Sequence, residues 1–279
     1  MSTKAGTLYV VATPIGNLGD MTPRAVEVLR AAGHIAAEDT RHSAGLLHHF
    51  GIATPMIALH EHNERQRAQM LLERLLAGED IALISDAGTP LISDPGYHLV
   101  RQTRAAGVKV VPVPGTSALI AALSVSGLPT DRFCFEGFLP AKSGARTARL
   151  ELLRRETRTL AFYEAPHRIE ETLADAVAVF GAAREAVMAR ELTKTWETLL
   201  AMPLGMLLER VKSDPDQRRG EIVLLIAGAE LADETEEEAR RVALLLAEEL
   251  PVKQAASLAA KITGARKNAL YDYLLKREE

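Results

Sequence analysis

Ser85-Asp86-Ala87-Gly88-Thr89-Pro90-Leu91-Ile92-Ser93-Asp94-Pro95-Gly96 decides how this chain is read. The stretch follows Ile81–Ser85, an apolar run of strand character, and precedes Tyr97–Ala106, which has helical spacing. A loop of Gly, Pro and Asp between strand and helix marks the carboxyl edge of an open α/β sheet, where ligands bind. Gly88 and Gly96 permit a sharp turn and close approach of the backbone to a ligand. Asp86 and Asp94 can bond amides, a cation or a hydroxyl. An ordinary strand-to-helix turn has the same composition, but two more segments repeat the pattern. Val11-Ala-Thr-Pro14-Ile-Gly16-Asn-Leu-Gly19-Asp20 and Val111-Pro-Val-Pro-Gly115-Thr-Ser117-Ala118 also follow apolar runs. Three such loops suggest one shared cleft.

Outward from that loop, strands are expected at Leu8–Ala12, His34–Ala37 and Val108–Val113, and helices at Pro23–Ala32 and Glu64–Ala77. Alternation of this kind favours a mostly parallel sheet. The second half differs in texture. Strands are expected at Arg132–Glu136, Thr159–Tyr163, Glu185–Arg190, Glu197–Ala201 and Glu221–Ile226, with two helices, Arg146–Arg155 and Pro166–Phe180, which points to a mixed sheet. The expected organisation is an N-terminal α/β domain over 1–124, a second α/β domain over 125–228 and a helical extension over 229–279. The acidic run from Glu230 to Glu238 reads as a solvated linker and helix start. The helical spacing of Ala255, Leu258, Ala259 and Ile262, then Thr263-Gly264 and a basic second helix, fits a helix-turn-helix module. A plain helical hairpin fits as well.

The 279 residues suffice for two domains. With aromatics at 4%, the cores must be built from Ala, Leu, Val and Ile. No apolar run approaches the roughly 20 residues that span a bilayer, and the N-terminus lacks the apolar stretch of a secretory leader. Cys134, the single cysteine, cannot form an internal disulfide and reads as a structural thiol in a buried strand. A cytoplasmic protein is expected. A net charge of −4 argues against general coating of nucleic acid without excluding a local basic patch, such as Lys142, Arg146, Arg149, Arg154, Arg155 and Arg158.

No G-x-G-x-x-G follows the first strand and no P-loop is present, which disfavours a nicotinamide dinucleotide and P-loop hydrolysis. His60-Glu61-His62-Asn63 resembles a metal cluster only superficially, because adjacent side chains diverge; no metal is expected. Ala37-Glu38-Asp39-Thr40-Arg41 is stronger. Asp39 could accept a proton and Arg41 could hold a phosphate, or the two could simply pair beside a helix cap. Phe162-Tyr163-Glu164-Ala165-Pro166-His167-Arg168 offers a base and an anion clamp, or a cap and an ion pair. Arg190-Glu-Leu-Thr-Lys-Thr-Trp196-Glu197 carries the only Trp, which could pack under its loop or stack on a base.

Taken together and in order, Thr13-Pro-Ile-Gly-Asn-Leu18, Ala37-Glu-Asp-Thr-Arg-His42, Ser85–Gly96, Phe162–Arg168, Arg190–Glu197 and Gly220-Glu-Ile-Val-Leu224 resemble the small-subunit ribosomal RNA methyltransferase I family of the tetrapyrrole-methylase-like superfamily. The resemblance extends to Lys267-Asn-Ala-Leu-Tyr271. It implies a two-domain class III methyltransferase fold with S-adenosyl-L-methionine in the interdomain cleft, contacted by Pro14, Asp86, Gly88, Thr89, Pro90, Ser117, Ala118 and Tyr163. It also implies a homodimer and 2′-O-methylation of one cytidine in the decoding region of 16S ribosomal RNA, on free RNA or the assembled small subunit. Asp39 or Glu164 is then the expected base, with Arg41 and Arg168 on flanking phosphates. A tetrapyrrole or precorrin C-methyltransferase, and a non-catalytic RNA-binding assembly factor, are the alternatives.

Overall fold

The structure, a computed structural model, describes residues 4–229 and 231–275, the side chains of 231–236 excepted. Residues 1–3, 230 and 276–279 thus lie outside the described residues, as do the side chains of most of the acidic 230–238 run.

The first half is a five-stranded, all-parallel sheet. Its strands are β1 (Thr7–Val11), β2 (His34–Ala37), β3 (Met56–Ala58), β4 (Ile81–Ile84) and β5 (Lys109–Val113), in spatial order β3-β2-β4-β1-β5. Both faces are covered, as a parallel sheet requires. Ala82 and Ile84 of β4 pack with Ala25 and Leu29 of α1 (Pro23–Ala31) and Leu47 of α2 (Thr40–His49). Ile81 and Leu83 pack with Leu71 and Leu75 of α3 (Glu64–Leu76) and Leu99 of α4 (Tyr97–Ala105). The connection from β1 runs one way along the sheet and that from β4 the other. The adjacent carboxyl ends of β1 and β4 therefore form a topological switch point, the usual ligand crevice of such sheets.

The second sheet is mixed, with order β6-β7-β10-β8-β9. β6 (Phe133–Phe138) and β7 (Thr159–Glu164) are parallel, while β8 (Glu185–Arg190), β9 (Thr198–Pro203) and β10 (Ile222–Ile226) join by antiparallel ladders. One face packs on α6 (Ser143–Leu153), α7 (Ile169–Phe180) and α8 (Leu204–Ser213). The other receives α5 (Ala118–Ser126), through Leu119, Ala122 and Leu123 against Ala161, Val187 and Val223. The chain thus leaves the first sheet at Val113 and lays its next helix on the second. β6 is an edge strand, so Cys134 is half-buried rather than buried, and burial raises its thiol above the ordinary range.

Three helices complete the described chain: α9 (Leu231–Ala247), α10 (Val252–Thr263) and α11 (Lys267–Leu275). Ala239, Ala243, Ala255, Ala259, Leu270 and Leu274 give them a core of their own. Gly264 adopts φ 77° and ends α10 as a left-handed cap.

Candidate functional site

Because β1, β4 and β5 are parallel, the three Gly/Pro loops emerge at one edge. They are laced together there. Thr13 and Gly88 exchange both backbone hydrogen bonds, at 2.9 and 3.0 Å. The Thr13 hydroxyl donates to the Ser85 carbonyl at 3.3 Å, Thr89 donates to the Thr116 carbonyl at 2.8 Å, and Thr116 donates to the Thr13 carbonyl. Gly88 adopts φ 83°, a conformation costly for any other residue.

A cavity of about 350 Å³ opens between this edge and the second sheet, within the usual size of cofactor pockets. On one side lie Gly88, Thr89 and Asp94, with Ser117 and Ala118 at the start of α5; on the other lie Tyr163, Glu164 and Val223. Gly88, Thr89, Ser117, Ala118, Tyr163 and Glu164 are thus brought together. Pro14 and Pro90 are buried behind the wall. Asp86 also stands behind it and accepts the Asp39 amide at 3.0 Å. The pairing of β10 with β7 and β8 sets the far wall, since Ile222 lies opposite both Glu164 and Arg190. Phe138 of β6, Leu192 of the β8–β9 loop and Ile222 of β10 also line the cavity, and none was named from sequence as a contact. The signal for Leu192 and Ile222 lay in the quoted Arg190–Glu197 and Gly220–Leu224 motifs.

The charged candidates divide. Asp39 caps α2 by accepting the Arg41 amide at 2.8 Å, and its carboxylate pairs with the Arg41 guanidinium at 3.2 Å. Those bonds hold Asp39 below its ordinary range. Neither residue lines the cavity, and the Arg41 side chain is 92% exposed. Glu164 lines the cavity but spends both oxygens inside the fold, accepting the Ala165 amide at 2.8 Å and the Thr172 hydroxyl at 2.6 Å. Arg168 approaches Glu164 at 3.4 Å and donates to the carbonyls of Leu139 and Pro140 at 2.5 and 3.1 Å. Asp94 differs from all of these. Desolvation, reinforced by the Asp86 charge and opposed by the Ser85 hydroxyl, pushes its carboxyl up to about 6. Glu38 is also raised to about 6, by burial and by the charges of Asp94, Asp86 and Glu61.

His60 and His62 meet edge to face with ring centroids 6.0 Å apart, and Asn63 caps the His60 turn by accepting its amide at 3.0 Å. Among the described residues no group of three His, Cys, Asp or Glu is arranged to hold a metal ion, and no helix is long and apolar enough to cross a membrane.

Comparison with known proteins agrees with this architecture. The family model for tetrapyrrole (corrin/porphyrin) methylases matches residues 7–208, and that for the RsmI C-terminal HTH domain matches 233–278. The chain is 62% identical to "Ribosomal RNA small subunit methyltransferase I" of Pseudomonas aeruginosa over 98% of each chain. It is 57% identical to the protein of the same name in Escherichia coli O157:H7, over 98% of this chain and 96% of the relative. Among solved structures, the methyltransferase CobJ superposes with a TM-score of 0.60 at 21% identity, covering 81% of this chain and 95% of CobJ. A Thermus thermophilus uroporphyrin-III C-methyltransferase complexed with S-adenyl homocysteine gives 0.55 at 18%, covering 80% and 97%. Fold, motif loops and full-length relatives agree: the chain belongs to the tetrapyrrole methylase family, on the branch of the small-subunit ribosomal RNA methyltransferase I proteins.

Proposed function

We propose that this protein is an S-adenosylmethionine-dependent methyltransferase of 16S ribosomal RNA that methylates the 2′-oxygen of a cytidine in the decoding region. The reading rests chiefly on the cavity at the switch point, walled by the Gly88 turn and the start of α5 on one side and by Tyr163 and Val223 on the other. Its shape suits the cofactor. The Gly88 turn lets backbone approach a ligand closely, and an apolar lining with few polar groups accepts an adenosyl thioether. The full-length relatives, named for the small-subunit RNA, supply the substrate class.

Gly88, Thr89, Ser117, Ala118 and Tyr163 would hold the cofactor, which when bound supplies an electrophilic methyl group on a sulfonium. The protein's work is then to align the ribose oxygen with that group and to remove its proton. Asp94 is the proton acceptor in this reading. It faces the cavity and its carboxyl is raised to about 6, whereas Glu164 is engaged by the Ala165 amide and the Thr172 hydroxyl of α7 and Asp39 by Arg41. Arg41 is exposed enough to meet a flanking phosphate; Arg168 instead ties Glu164 to the carbonyls before α6. The cytoplasm, where ribosomes are methylated, is the corresponding compartment. The assembly is a homodimer in this reading, with Ile120 and Val125 on the outer face of α5, each about half exposed, as the apolar contact.

The test is methyl transfer from labelled cofactor to small subunits purified from cells lacking the homologous activity, followed by mapping of the label. Label on a cytidine 2′-oxygen in the decoding region is expected. Label only on a tetrapyrrole, or bound cofactor without turnover, overturns the assignment. With Asp94→Asn, single-turnover transfer is expected to fall at least a hundredfold, and the wild-type rate to climb as pH rises through about 6. A wild-type rate flat between pH 5 and 8 removes Asp94, and Glu38 with it, from the proton transfer.

A further inference from the structure

Trp196, the only tryptophan, is 73% exposed. Tryptophan is among the most buried residues on average, so an indole left in water calls for an explanation. A mobile loop would supply one, but the β8–β9 loop is pinned at every turn. Glu191 accepts the Glu221 amide at 2.9 Å through its side chain and donates its own amide to the Glu221 carbonyl at 2.9 Å. Lys194 bridges Glu191 and Glu221 at 2.9 and 3.0 Å. Glu197 accepts the Thr193 amide at 2.6 Å. The buried Arg190 guanidinium donates to the Trp196 carbonyl at 3.0 Å, to the Thr198 hydroxyl at 2.9 Å and to the Arg219 carbonyl at 3.4 Å. The loop is a rigid mount, and the indole is what it presents.

The mount is also strained. Among the described residues the non-glycine positions with left-handed backbone are Leu91 (φ 74°), Ser93 (70°), Glu191 (53°) and Thr193 (68°). The first two belong to the Ser85–Gly96 loop and the last two to the Trp196 loop, and both loops line the cavity, through Ser93 and Leu192. A left-handed β-branched Thr is uncommon and costs free energy; such strain concentrates where a site must be held in one shape. The aliphatic stem of Lys194 lies against Gly16 of the first Gly/Pro loop, where an added Cβ would meet Lys194 Cγ at 2.4 Å. The loop therefore touches both walls of the cleft. The Arg219 carbonyl accepts from the same Arg190 guanidinium as the Trp196 carbonyl, and the Arg219 side chain, 76% exposed, pairs with Asp216 at 3.1 Å, a solvent-exposed contact worth little.

We infer that Trp196 is a stacking platform for an unpaired nucleobase of the RNA next to the nucleotide in the cleft, with Arg219 meeting the adjoining phosphate. The inference rests on the RNA methyltransferase reading. A rigid, exposed aromatic on a loop that also lines a cleft is how single-stranded RNA is held without reading its sequence. Trp196 acts on positioning and takes no part in the proton transfer.

The single tryptophan makes the test direct. Intrinsic fluorescence of the full chain should be solvent-exposed in wavelength and should quench saturably on titration with a short single-stranded oligoribonucleotide. Trp196→Ala should raise KM for small subunits about tenfold, the size of one lost stacked base, with kcat and cofactor affinity unchanged. Trp196→Phe should restore most of the loss. An unchanged KM in Trp196→Ala overturns the inference. So does blue-shifted emission that reddens on dilution, which would place the indole in a subunit interface. Quenching by RNA in a protein that transfers no methyl group would support the platform and refute the methyltransferase reading, so the two failures are distinguishable.

Discussion

Glu164 carries a carboxylate into the interior, its side chain wholly shielded from solvent. A buried charge of this kind persists only with partners, and here they are the Ala165 amide, the Thr172 hydroxyl and Arg168. Removing one partner leaves the others worse off than before, so Arg168→Ala is expected to lower unfolding stability by about 3 kcal/mol or more. Urea denaturation reads it directly, and an unchanged midpoint would show the pair to be dispensable. Asp94 presents the opposite case. Its proton affinity is raised in the folded state, from 3.8 to about 6, so the folded chain binds the proton more tightly than the unfolded one. Stability from this group is fully present below about pH 4 and is lost as pH rises through about 6. Asp94→Asn, which keeps an acceptor for Ser85, should therefore raise Tm by a few degrees at pH 7.5, with the gain shrinking toward pH 4. A gain that is the same at both pH values would trace to packing rather than charge. A substitution that stabilises the fold while slowing methyl transfer is the expected mark of a site carrying functional strain.

At the scale of elements, α4 begins at Gly96, which has no side chain to cap it. The cap comes from another helix: Glu64 of α3 accepts the Gly96 and His98 amides at 3.1 and 2.6 Å while only 7% exposed. Glu64→Ala removes two charge-assisted bonds at the positive end of a helix and should cost about 2–3 kcal/mol. It should also loosen the Ser85–Gly96 loop that α4 anchors. Cofactor titration alongside thermal melting checks both, and a variant that melts early but binds cofactor normally would uncouple the cap from the loop. Such tertiary caps mark the limit of sequence reading. His34–Ala37 and Glu185–Arg190 were legible to the residue because each is an apolar run closed by polar residues. The α5 helix was not, because it is apolar on all sides and so has no period. Three-residue β3 is too short to stand out. The α8 stripe of Leu204, Leu207, Leu208 and Val211 was present at helical spacing and was overlooked. Of the cavity lining, Gly88 and Tyr163 were reached from the quoted motifs and the resemblance they carry. The raised proton affinity of Asp94 was not, because its chief cause is burial, which follows from how the loop packs in the folded chain, with the Asp86 charge adding to it and Ser85 opposing it.

At the scale of the molecule, the two sheets and the three C-terminal helices hold separate cores. Ala239, Ala255, Ala259 and Leu270 pack among themselves, and among the described residues no buried residue of either sheet belongs to their cluster. A described link to the body is the Arg155–Glu238 pair at 3.7 Å, with Arg155 63% exposed, geometry that contributes little. A unit with its own core, and with no residue lining the cavity among those described, is expected to add little to the stability of the cleft. The extension matches the RsmI C-terminal HTH domain family; on the RNA methyltransferase reading, Arg266 and Lys267 at the start of α11 would supply a salt-dependent grip on RNA phosphates. A chain ending at Ala229 should therefore fold, melt close to the full-length Tm and bind cofactor with unaltered Kd, while its KM for small subunits rises and becomes less sensitive to salt. Calorimetry with the cofactor and steady-state methylation at two ionic strengths separate these effects. If cofactor binding is lost together with subunit binding, the helices are a structural part of the cleft, and their role in gripping RNA falls.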